Sequence, residues 1–144
     1  MVNPAAFVYP ETRNNTVDRC HMPIDILLDK TTRTLRTHAS GDVTIEDFID
    51  SLEKTFQLMD SGVIDVAWGQ IIDLTDIGNL EELRESDITL IASKSPWPAG
   101  TRRAIVVTED RALQLARIYQ SMGSARGHQI CIVESIEEAQ DWVS

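Results

Sequence analysis

Three short apolar runs, Gln70-Ile71-Ile72-Asp73-Leu74, Arg103 to Val107 and Gln129 to Val133, each followed by a segment with helical spacing, constrain this chain more than any other feature. A run that is apolar at consecutive positions reads as a strand covered on both faces, which is the situation of strands in parallel sheets between helices. The covering layer follows each run. A looser stretch from Thr75 to Glu85 leads to a short helix around Asp87 to Ser93, stopped by Pro96 and Pro98. Thr108 reads as the N-cap of the next helix, with Glu109 and Asp110 in its first turn, where carboxylates favour the positive end of the helix dipole. Its inner stripe is Ala112, Leu115, Ala116, Tyr119 and Met122, and Gly123 reads as its stop. Ser135 with Glu138 forms a capping box for a last helix carrying Ile136, Ala139, Trp142 and Val143.

Upstream of these repeats the period changes. Ile24 to Leu28 and the alternating segment Thr34 to Ser40, joined by a short polar linker, predict an antiparallel hairpin. Thr44 with Asp47 is an N-cap pair, and Val43 and Phe48 stand at the spacing of a hydrophobic staple. The helix they start has Ile45, Phe48, Ile49, Leu52, Phe56 and Met59 as its apolar stripe and ends near Asp60. Residues 1–21 hold no sustained period and read as an irregular arm whose apolar cluster, Ala5 to Tyr9, docks on the domain or pairs with a second copy to make a homodimer. The domain proper is 22–144. Its order, strand-strand-helix and then strand-helix three times, calls for an α/β fold with a mostly parallel sheet and one antiparallel strand.

At 144 residues, with 42% hydrophobic and 25% charged residues, the chain has the size and composition of one globular domain. No apolar run reaches the roughly 20 residues of a membrane span, and the start has no secretory pattern, so a cytoplasmic location is expected. The net charge of −10 is confined to the middle: Gly41 to Ser95 holds 13 acidic and 3 basic residues, against 10 of each elsewhere. That field repels nucleic-acid phosphates and anionic membranes and favours a basic protein partner, or it simply forms solvated helix faces.

The search for chemistry returns few groups. No nucleophile elbow, phosphate-binding glycine loop or metal-ligand spacing occurs, so no catalytic residue, metal or cofactor is expected. Cys131, among Ile130, Ile132 and Val133, reads as a small buried thiol, and Cys20-His21 lie in the arm. Asp73 ends a buried strand, where ligands of open α/β sheets gather; Thr75, Asp76 and Thr108 approach the same edge. This group either grips a small polar ligand or bonds its own loop. Trp97, between two prolines, covers a pocket, anchors a partner or closes the core with Trp68. Arg102, Arg103, Arg111, Arg117 and Arg126 are scattered and read best as ion-pair partners of the acidic middle. An apolar pocket between the sheet and the helices bearing Leu90, Ile91, Leu115 and Tyr119 would take a small lipophilic ligand.

Met22-Pro23-Ile24 before a hairpin, Ser40-Gly41-Asp42-Val43-Thr44 into the first helix, Ile71-Ile72-Asp73-Leu74-Thr75, Leu115-Ala116-Arg117-Ile118-Tyr119 and the closing Glu137-Glu138-Ala139-Gln140-Asp141-Trp142 occur in that order. Together they resemble the SpoIIAA-like proteins grouped under the STAS/SEC14 heading, across 22–144. The resemblance implies a five-stranded mixed sheet flanked by four helices, and a regulatory or protein-interaction module without catalysis. It carries two further implications: a lipid-holding pocket as in SEC14 relatives, and a phosphorylated serine at a helix start as in anti-sigma-factor antagonists. Only Ser86 falls where that serine would stand, its following glycine is missing, and Glu85 and Asp87 would repel the phosphate. Ser86 reads otherwise as a helix N-cap.

Overall fold

A computed structural model describes residues 23–144 together with the pair Phe7–Val8. The expected arm, the Met22 boundary and Cys20-His21 otherwise lie outside the described residues. The elements are β1 (Phe7–Val8), β2 (Ile24–Asp29), β3 (Thr34–Gly41), α1 (Ile45–Asp60), β4 (Gly69–Ile77), α2 (Glu85–Ser93), β5 (Arg102–Val106), α3 (Asp110–Ala125), β6 (Gln129–Val133) and α4 (Ile136–Val143). The expected five-stranded mixed sheet with four helices is present, and β1 adds a two-residue antiparallel edge on β2. The sheet runs β1-β2-β3-β4-β5-β6, antiparallel through β3 and parallel from β3 to β6.

Strand order that follows chain order has a consequence for the helices. Three right-handed crossovers stepping in one direction put α1, α2 and α3 on the same face of the sheet. Leu52, Ile88, Ile91, Leu115 and Tyr119 from these helices accordingly share one core with Ile105 and Ile130. After β6 no further strand has to be reached, and α4 turns to the opposite face, where Ala139 packs against Ile71, Ala104 and Val106. Period-2 alternation then assigns every strand residue a side: Thr37, Gln70, Ile72, Arg103 and Ile105 face α1–α3, whereas Arg36, His38, Asp73 and Ala104 face the α4 side.

The local signal of α1 holds, and that of α4 in part, since the Glu138 carboxylate accepts from the Ser135 hydroxyl and the Glu134 N–H and not from the Ser135 N–H that a capping box requires. Thr44 accepts from the Asp47 N–H at 3.2 Å while Asp47 accepts from the Thr44 N–H at 2.9 Å; Ser135 accepts from the Glu138 N–H at 3.2 Å. Several others are corrected. Phe56 is 56% exposed, because the buried stripe of α1 runs Ser51, Leu52, Thr55 and Leu58, one position away from it. Glu109 rather than Thr108 caps α3, its carboxylate accepting from the Arg111 and Ala112 N–H groups at 2.9 and 2.8 Å, which a threonine hydroxyl could not do together. Gly123 does not stop α3; the helix continues to Ala125, and Gly123 lets Ile130 pack against its backbone. The left-handed residue beyond the end is Gly127, at φ 83°. Arg84, not Ser86, is the N-cap of α2, its N–H donating to Asp87 at 3.0 Å.

Candidate functional site

On the α1–α3 side the main core is hollow. A cavity of about 80 Å³ lies between β3–β5 and the three helices. The inward faces explain it: α1 presents Ser51, and α3 presents Ala112 and Ala116, where longer side chains would fill the space. Leu52, Ile72, Ile88, Ile105 and Leu115 supply most of the wall, and the connection 78–84 folds Leu80 and Leu83 onto it. Of the expected pocket residues, Ile91, Leu115 and Tyr119 line this cavity. Leu90 does not; it is 41% exposed on α2, a neighbour of Ile91 pointing the other way around the helix.

The wall is almost wholly apolar, but at one end Thr37, Gln70, Arg103 and Tyr119 come up to it, with Arg103 at their centre. This arginine is 1% exposed, the largest of the fully buried side chains. Register places it beside Gln70 of β4, so Nε–H donates to Gln70 Oε1 at 2.9 Å, while the Gln70 amide donates to Thr37 Oγ1 at 3.1 Å. One terminal nitrogen donates to the Tyr119 hydroxyl and the other to His128 Nδ1, at 3.1 Å for the latter. The guanidinium carbon also stands 5.1 Å from the centroid of the Tyr119 ring. Burial, then the charges of Arg103 and Arg126, push His128 below its ordinary value, so near neutrality it is the uncharged acceptor that this bond requires. Every partner of Arg103 is therefore neutral, and among the described residues no carboxylate pairs with it.

The α4 side holds a second polar group. Asp73 is 1% exposed yet fully engaged: Oδ1 accepts from the Thr75 hydroxyl at 2.7 Å and the Thr75 N–H at 3.0 Å, and Oδ2 accepts from Arg36 at 2.7 Å. Burial on its own pushes this carboxyl up; the Thr75 bonds and the Arg36 guanidinium outweigh it and hold Asp73 below the usual carboxylate value. His38 Nε2 lies 2.8 Å from Asp76 and 4.0 Å from Asp73. The structure thus brings Asp73, Thr75 and Asp76 together and adds Arg36 and His38. Both oxygens of Asp73 are taken by its own chain, so its place is to join β3 to β4.

The remaining expected residues are dispersed. Thr108 is exposed and makes no hydrogen bond to the Asp73 group among the described residues. Trp97 is 3% exposed and packs with Trp68, Leu35, Leu58 and Ile64, closing the core rather than meeting a partner. Ser86 is exposed at the second position of α2, between Glu85 and Asp87. Cys131 is a free, half-buried thiol rather than a fully buried one, because it points to the α4 side near the sheet edge. Among the described residues Arg111 and Arg126 do not pair with acids; they donate to the carbonyls of Leu83 and Ala92 at 2.9 and 2.7 Å, closing the ends of neighbouring segments. Among the described residues no cluster suits a metal ion, and no helix is long and apolar enough to cross a membrane.

Gln70, Thr37 and His128 are not singled out by sequence, and Arg103 reads there as an ion-pair partner of the acidic middle, a pairing it does not make among the described residues. One signal existed: Arg103 shares its parity with Ile105 in an otherwise apolar run, an inward place where an arginine needs a reason.

No family model matches the chain, and no curated protein does. Among solved structures, an uncharacterised protein of the DUF3478 family with a SpoIIAA-like fold, from Shewanella loihica PV-4, matches over 84% of this chain and 92% of its own, with TM-score 0.52 and 20% identity. The fold of this chain is SpoIIAA-like.

Proposed function

We propose that this SpoIIAA-like domain is a non-catalytic binding module whose ligand is a small, mainly apolar molecule held between the sheet and α1–α3. The observation that carries the reading is the hollow in the largest core cluster. Protein interiors are packed like organic crystals, with few voids larger than a water molecule. Leaving about 80 Å³ unfilled costs roughly 2 kcal/mol at the usual cavity rate. A single longer side chain at Ser51, Ala112 or Ala116 would remove that cost, so the space is better understood as a place for something else. Its walls are aliphatic with a few convergent polar groups, the general make-up of small-molecule sites. Xenon tests this directly. Under xenon pressure the methyl NMR signals of Leu52, Ile72, Ile88 and Leu115 should shift in a saturable way, and Ala116→Leu should abolish the shifts while raising stability by about 1 kcal/mol. Unshifted methyls in the native protein would remove the reading.

A second reading has its own support. Glu46, Asp50 and Glu53 of α1 are exposed, no ion pair among the described residues engages them, and Phe56 stands exposed on the same helix. Such a face suits a basic protein partner with an apolar contact. A lysine-rich peptide titrated into the labelled protein should move α1 amides first, and the Asp50→Asn/Glu53→Gln variant should respond at least threefold more weakly. Shifts spread evenly over the surface would sink it.

A further inference from the structure

The polar end of the cavity contains donors without acceptors. Arg103 carries five N–H groups and its three bonds leave one on each terminal nitrogen unmatched. Tyr119 accepts from Arg103 and Thr37 accepts from Gln70, so each hydroxyl proton is turned elsewhere, and neither finds an acceptor among the described residues. Arg103, Tyr119 and Thr37 all line the cavity. An arginine stays protonated in proteins, and a buried charge is held at a cost unless an opposite charge joins it. Every other polar wall group that touches it is neutral.

We infer that the cavity takes a small monocarboxylic acid as its anion, the carboxylate accepting from Arg103 and Tyr119 and the apolar body lying among Leu52, Ile72, Ile105 and Leu115. This rests on the cavity reading above and adds the chemistry of the ligand. An acceptor-only head group is what a donor surplus selects; an alcohol or amide brings a further donor to a place that already has too many. A carboxylate also completes the planar two-bond pairing that a guanidinium favours. The volume limits the body: a cavity of about 150 Å³ holds benzene, and this one is about half that, so an acid of two or three carbons fits and a branched or long acyl chain does not.

The test compares acetate with acetamide, nearly equal in shape and differing in charge. Titrated into the full chain at pH 7.5, the acid should bind at least tenfold more tightly than the amide and shift the Arg103 Nε–H and side-chain nitrogen resonances. Equal affinities would overturn the anion assignment while leaving the cavity reading intact. Failure of acid, amide and xenon alike would remove the cavity reading and this inference together. In Arg103→Gln the preference for the acid should vanish; if that variant does not fold, the nitrogen shifts in the native protein decide, and an acid that binds without moving them overturns the proposal.

Discussion

On the α4 side of the sheet Arg36 meets Asp73, and its side chain remains about a third exposed; on the α1–α3 side Arg103 is wholly buried among Gln70, Tyr119 and His128. The first arginine is matched in charge by a carboxylate and open to water. The second has neither. Burying an ion removes its hydration, and neutral hydrogen bonds return only part of that. The first group is therefore matched in charge and joins two strands, although Arg36 Nε is left buried without a partner among the described residues, while the second gains most from an anion that arrives from outside. Both arginines sit on neighbouring parts of one sheet; parity alone sends them to opposite environments.

Arg103→Ala should have the largest effect, a loss of about 3–5 kcal/mol in urea unfolding, because it enlarges the cavity and strands three buried polar groups. Asp73→Ala should cost about 2 kcal/mol, since Thr75 and Arg36 lose their acceptor but Arg36 can hydrate. Arg103→Met keeps most of the volume and removes the charge while stranding the same three polar groups, and it should cost about 2 kcal/mol less than Arg103→Ala in the ligand-free protein. A methionine variant as damaged as the alanine one would mean that the charge serves folding rather than binding.

Acid separates the two faces further, with smaller effects. His128 has a value in the fold below its ordinary 6.5, so the unfolded chain takes up a proton there that the folded chain refuses. Its contribution is full above pH 6.5 and is lost as pH falls from there towards the folded value; His128→Gln should flatten that part of the stability curve. Asp73 acts lower. Its contribution is present above the ordinary 3.8 and is lost as pH falls further, through the depressed folded value, and Asp73→Asn should flatten this second decline. Thermal melts across pH 2 to 8 on the three proteins check both windows.

Much of the fold was legible because its signals are local. The Thr44–Asp47 and Ser135–Glu138 pairs span one helical turn, and each strand announces itself within five residues. Where the reading erred, two neighbours competed for one local job, as Thr108 and Glu109 did for the cap of α3, and the longer carboxylate reached two N–H groups. The candidate site was less legible. Asp73, Thr75 and Asp76 were marked and do converge, but as partners of Arg36 and His38, which reach them only across the β3–β4 register.

Hydrophobic period and capping carried the five longer strands, the four helices and their order in the sequence. Tertiary structure decided which polar residues meet and where the core stays empty. Gln70 and Arg103 are 33 residues apart, and Arg103 and His128 are 25 apart. Their contact depends on strand register and on how closely α1 and α3 approach the sheet. Those are properties of packed surfaces, summed over many side chains, and no local pattern carries them.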